Sequence, residues 1–153
     1  MSTNASGKTV EAIKIVSGML SERIGAATIY YNGAPYTNAS GYGFDSQPFE
    51  DCVCAINIGT ILGSLATLKN SIYESDTDDP SAASAISGAD FDDATPSTDE
   101  AHRVGAIQCR DTKRYLFLVT EAQGTPITID FGATWIGGKP DAQATDHTVV
   151  FDV

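Results

Sequence analysis

The sequence predicts an all-β fold, an antiparallel β-sandwich or jelly-roll-like barrel. Three observations carry that expectation. Residues 102–136 hold three apolar runs joined by short polar turns. Residues 49–58 alternate in polarity with the two-residue period of a half-buried strand. Turn signals separate about seven to nine strand-like runs, with little helical periodicity between them. A chain of 153 residues fits one domain and can bury a core without disulfides or metal.

Taken in order, residues 1–27 read as an N-terminal arm. Residues 1–9 are polar and predict disorder. Val10, Ile13, Val16, Leu20 and Ile24 recur near helical spacing, while Ile13-Lys14-Ile15 fits a strand. Gly18 and Gly25 weaken a long helix. The arm is therefore expected to order against a partner.

Residues 28–140 form the expected sandwich domain. Thr28–Tyr31 is a short strand, and Asn32-Gly33 is a strong hairpin signal. The returning strand, Ala34–Thr37, carries Pro35, which confines it to an edge or to a strand's first residue. Residues 41–48 read as a loop. From Phe49 to Ile58, Cys52, Cys54, Ile56 and Ile58 share the face suited to the core. A second strand is expected over 65–74. Residues 74–100 then turn acidic, with no Lys or Arg between Lys69 and Arg103. They read as long solvated loops, with a short strand around Ala82–Ile86 and Phe91 as an anchor. Strands at 102–109, 114–121 and 126–136 follow, and Gly137-Gly138-Lys139-Pro140 is expected to break the last. Residues 141–153 are a C-terminal arm or strand. Its apolar tip, Thr148–Val153, either completes the sheet or is buried on another subunit.

The formal net charge is −11. Nucleic-acid affinity comes from cations that displace condensed counterions, so no nucleic-acid partner is expected. Anionic membranes are disfavoured for the same reason, and no run approaches the length of a membrane span. The polar N-terminus lacks a signal-peptide layout, which predicts synthesis and retention in a cytoplasm. Three cysteines read as buried reduced thiols, with Cys109 able to meet Cys52 or Cys54 from a neighbouring strand.

Catalytic patterns fail one by one. Ser6-Gly7-Lys8-Thr9 imitates a phosphate loop, but Ser2 occupies the position of its first glycine. Gly41-Tyr42-Gly43 lacks the third glycine of a dinucleotide site. Two histidines, His102 and His147, fall short of a zinc ligand set. Asp76-Thr77-Asp78-Asp79 offers oxygen ligands without the glycine and glutamate of a calcium loop. Neither a Gly-x-Ser-x-Gly nor a His-Glu-x-x-His occurs. The expectation is no enzyme, no cofactor, no metal and no catalytic residue. A carbohydrate- or receptor-binding module is the ligand-binding alternative, resting on Tyr30, Tyr31, Tyr36, Tyr42 and Trp135.

One ordered set of short motifs points further. Gly43-Phe44-Asp45-Ser46 leads into an apolar strand ending at Gly59. Tyr73-Glu74-Ser75-Asp76-Thr77-Asp78-Asp79 follows, then Arg103-Val104-Gly105, then Lys113–Val119, then Trp135-Ile136-Gly137-Gly138-Lys139-Pro140. This order resembles a family of small β-rich virion proteins of tailed bacteriophages, the capsid cement or decoration proteins. It spans about residues 43–140 and leaves out the acidic stretch near 80–100 and the tail 141–153. The resemblance implies a structural protein on the outer capsid surface of the virion, made in the host cytoplasm. Its implied partner is the major capsid protein, with a homodimer or homotrimer at shell symmetry axes. A neck, tail or baseplate position is the alternative within the virion.

Overall fold

The computed structural model describes residues 14–23, 29–32, 34–35, 40–62, 67–98, 101–124, 128–138 and 151–152. They form two antiparallel sheets packed face to face, with no α-helix among them. In chain order the strands are β1 (Lys14–Arg23), β2 (Ile29–Tyr31), β3 (Ala34–Pro35), β4 (Phe44–Asp45), β5 (Asp51–Leu62) and β6 (Thr67–Ser75). Then come β7 (Ser84–Ala94), β8 (Ala101–Gln108), β9 (Tyr115–Gln123), β10 (Thr128–Gly138) and β11 (Phe151–Asp152).

One sheet runs β1-β10-β5-β8-β11, and the other β3-β2-β9-β6-β7 with β4 also on β9. Setting aside the two-residue strands, the pairing is nested. β1 pairs with β10, β2 with β9, β5 with β8 and β6 with β7. A long antiparallel ribbon folded over on itself in this way is a jelly roll. The expected all-β sandwich is thus the fold, with jelly-roll winding.

The predicted inner face of β5 is the core face: Cys52, Cys54, Ile56 and Ile58 are all buried. Opposite them in sequence parity, Phe131, Ala133 and Trp135 bury from β10. Leu68 and Ile72 of β6 and Leu116, Leu118 and Ala122 of β9 fill the same core from the other sheet. β5 continues past Ile58 to Leu62. A register shift between Ile129 and Phe131 lets it. The extra residue on β5 moves the inward position from Ile58 to Ile61.

Tyr115–Val119 reads apolar without alternation because β9 is covered on both faces. Phe117 and Val119 point away from the sandwich core and pack with Tyr31, Tyr73, Ala83 and Tyr115. Tyr31 meets Phe117 edge-on at 6.0 Å and Tyr73 at 6.4 Å.

Several expectations change. Residues 14–23, expected as part of an arm, form β1 and extend the sheet along β10; the rest of 1–27 up to residue 28 lies outside the described residues. Phe44–Asp45 pairs with β9 where a loop was expected. The acidic segment is not a long loop: β7 crosses it, with Phe91 buried as its anchor. β10 runs through Gly137-Gly138 instead of breaking. Gly137 is needed because the Phe49 ring covers it, and a Cβ there would stand 2.6 Å from that ring. At the chain's far end, Phe151–Asp152 completes the sheet on β8; residues 141–150 and 153 lie outside the described residues.

One side chain joins the two sheets. β2 and β4 both pair with β9 but leave a gap between them, and Asn32 fills it. Its backbone N–H donates to the Leu118 carbonyl at 2.9 Å. Its Oδ1 accepts from the Leu118 N–H at 2.7 Å and from the Trp135 indole N–H at 2.9 Å. Its Nδ2 donates to the carbonyls of Tyr42 at 2.7 Å and Leu116 at 3.1 Å. Asn32 also takes φ +46° as the first residue of the predicted hairpin turn. Nearby, Trp135 stacks on Phe44 at 5.2 Å, and Phe44 on Phe49 at 5.6 Å.

β7 is an exposed sheet edge. Its ladder with β6 shifts register twice, Gly88 takes φ +76°, and Asp90, Asp92 and Asp93 are exposed. Bulges and charges of this kind discourage edge-to-edge pairing.

Two predictions follow from this architecture. Asn32→Ala strands the Leu118 and Trp135 donors and should lower stability by about 3 kcal/mol in urea unfolding. Replacing Asp90, Asp92 and Asp93 together by Thr should promote self-association, seen as faster-sedimenting species at equal concentration in analytical ultracentrifugation.

Candidate functional site

The aromatic residues expected as a ligand platform are not brought together on the surface. Trp135 is 1% exposed, in the core, with its one polar atom held by Asn32. Tyr31 is buried under the outer aromatic cluster. Tyr42 alone of the four tyrosines is seen at the surface, at 55% exposure; Tyr36 and the side chain of Tyr30 lie outside the described residues.

The acidic segment does structural work at its near end. The Asp78 carboxylate accepts the Gly43 N–H at 2.7 Å, and its carbonyl accepts the Gly41 N–H at 3.1 Å. Gly43 is required at this contact, since a Cβ would meet Asp78 at 2.6 Å and the Phe117 ring at 2.9 Å. Asp79 caps the one-turn 3-10 helix Pro80–Ala82 through the Ser81 N–H. That bond, with the Ser81 hydroxyl, holds the Asp79 carboxyl below its ordinary range. Glu74 accepts the Lys113 N–H at 2.9 Å, and Asp76 faces the Lys113 ammonium at 3.8 Å. These carboxylates fasten the turn after β6 to the 40–43 loop and to the turn before β9. No group of three or more His, Cys, Asp or Glu side chains is placed to hold a metal among the described residues.

The basic residues of the β8–β9 turn are also paired. Arg114 makes a two-bond contact to Asp45, at 2.8 and 3.2 Å, and lies over the Tyr115 ring at 5.0 Å. Arg110 reaches Asp111 and Gln108. His102 hydrogen-bonds Asn57 across the outer face of the β5–β8 pair, and no nucleophile faces it in that contact. His147 lies outside the described residues.

Two polar groups went unrecognised in the sequence. Asn32 gave only a turn signal, and three of its four side-chain bonds, to Leu116, Leu118 and Trp135, come from segments far along the chain. Arg103 is 8% exposed on the inner face of β8, and its Nη1 has no hydrogen-bond acceptor. A signal for Arg103 existed: it shares sequence parity with Ile107 and Cys109, the buried positions that follow.

The three cysteines are reduced and buried. Cys52 shares a hydrogen bond with Cys109, and that contact and burial push the Cys52 thiol far up. Burial alone raises Cys54. A thiol held protonated is a poor nucleophile and metal ligand. Native protein at pH 8 should therefore react slowly with Ellman's reagent at Cys52 and Cys54, and all three thiols should react at once in 8 M urea, as on the order of 8 M suffices to expose buried groups. Fast native reaction would show that this end of the core opens readily. The chain's described surface thus offers an acidic edge and paired charges, with its aromatic groups mostly turned inward. No family model, curated protein or solved structure matches this chain.

Proposed function

We propose that this chain is a virion structural protein that binds the outer face of a tailed-phage capsid and stabilises the shell. The observation that carries the reading is the jelly-roll winding of the strands, an architecture used by viral capsid domains and by lectins. A fold of this kind hosts many functions. The ordered motifs from Gly43 to Pro140 select among them.

The physical chemistry supports the same reading. A protein that coats a shell must stay soluble alone at high copy number, and a net charge of −11 keeps free copies apart. The same charge suits an outer surface away from packaged nucleic acid. The bulged, acidic β7 edge keeps sheets of adjacent copies from fusing. Individual contacts with the major capsid protein can be weak, because many equivalent contacts act together on one particle. Copies would meet as homodimers or homotrimers at symmetry axes of the shell.

A place in the neck, tail or baseplate is the second reading, since the same motifs and charge suit any outer virion surface. The carbohydrate-binding alternative draws less support, because Trp135 and Tyr31 are spent inside the protein.

Incubation with bare expanded capsids followed by sedimentation tests the proposal. Saturable binding at hundreds of copies per particle is the expected result. A dozen or so copies would move the protein to the neck or baseplate, and absence from the pellet at saturating concentration would sink the shell reading.

A further inference from the structure

Arg103 stands directly opposite Ile56 in the β5–β8 ladder, and Ile56 is a core residue. Cross-strand partners share a face, so the Arg103 side chain enters the layer between the sheets. Its neighbours on that face are Gly105, which contributes no side chain, and Ile107, which is apolar. The opposing β5 residues Cys54 and Ile56 carry no charge either. Among the described residues no carboxylate pairs with Arg103, and Nη1 is buried without an acceptor. The contrast with the rest of the molecule is sharp. Arg110, Lys113 and Arg114, all far more exposed, each have an acidic neighbour.

Nη1 is the guanidinium nitrogen of Arg103 that is fully buried without an acceptor; a buried donor left unpaired is costly, and a guanidinium cannot escape that cost by losing its proton. Asn70 Nδ2 is the other orphaned buried side-chain atom. A water molecule can satisfy that neutral amide. Water cannot neutralise Arg103. An anion would supply both an acceptor and the opposite charge, and the guanidinium selects its shape: a planar fork of donors matches a planar carboxylate with two parallel bonds. A single cation in a chain of net charge −11 favours a monoanion over a phosphate dianion.

We infer that Arg103 is the cationic half of a carboxylate-binding site in the inter-sheet layer between β8 and the facing sheet, completed by a small monocarboxylate. The site is independent of the proposed place in the virion.

The test uses the full chain, exchanged into carboxylate-free buffer and titrated with ¹³C-formate and ¹³C-acetate at constant ionic strength. The readouts are carbon line width and melting temperature. Wild-type protein should show saturable broadening and stabilisation. Arg103→Lys keeps the charge without the fork and should weaken binding by about tenfold. Arg103→Met should abolish it, and it should fold, because an apolar side chain replaces an unpaired charge in the core. Arg110→Met, at an exposed position, should bind like wild type. A wild-type chain with no saturable response overturns the inference, whatever the variants do. So does a response that survives in Arg103→Met, or a chloride response equal to that of formate.

Discussion

The amide of Asn32 is the interaction on which the arrangement of the two sheets depends. β9 is the central strand of its sheet, and two short strands, β2 and β4, share one of its edges without meeting. Unpaired backbone groups in such a gap would be buried and costly. A primary amide carries an acceptor and two donors, the same inventory as a short piece of strand. Asn32 therefore stands in for the missing residues along β9, accepting from Leu118 and donating to Leu116. The spare lone pair of its oxygen takes the Trp135 indole N–H from the opposite sheet. The largest core side chain is thereby oriented by a polar contact, and the Phe44–Phe49 stack closes over it.

Most of the remaining polar chemistry serves the same end. Asp78, Asp79 and Glu74 satisfy backbone donors in turns, and Ser46 donates its hydroxyl to the Arg114 carbonyl while its N–H does likewise. These bonds hold the segment after β6 against the outer face of β9, where Phe117 would otherwise be bare. A net negative protein thus uses its near-turn carboxylates as fasteners and leaves those of β7 free at an edge. The former stabilise the fold; the latter guard the open side of β7.

That division shapes the functional reading. Surface charge, a guarded sheet edge and buried aromatics are the features on which the proposed shell-binding role rests. Arg103 is the exception, a charge placed where packing alone would put a hydrophobe. Its Nη1 and the Asn70 Nδ2 are the buried side-chain atoms left without a partner among the described residues.

The strands themselves were legible in the sequence. Alternation fixed the inner face of β5, Asn32-Gly33 fixed the β2–β3 turn, and Pro35 excluded β3 from the interior of a central strand, because these depend on local period and local backbone geometry. The strand pairing that makes the expected sandwich or jelly-roll-like barrel a jelly roll, β4, and the fate of the acidic segment were not legible. Residues 84–94 show weak alternation, and only pairing with β6 and burial of Phe91 make them a strand. Gly137-Gly138 reads as a break until the Phe49 ring is laid over it. The polar positions that matter most, Asn32 and Arg103, have surroundings set by strands that meet across the sandwich. Local chemistry determined which segments extend and which way they face; only the meeting of distant strands decided what each polar group would touch, since a hydrogen bond needs both of its ends in place.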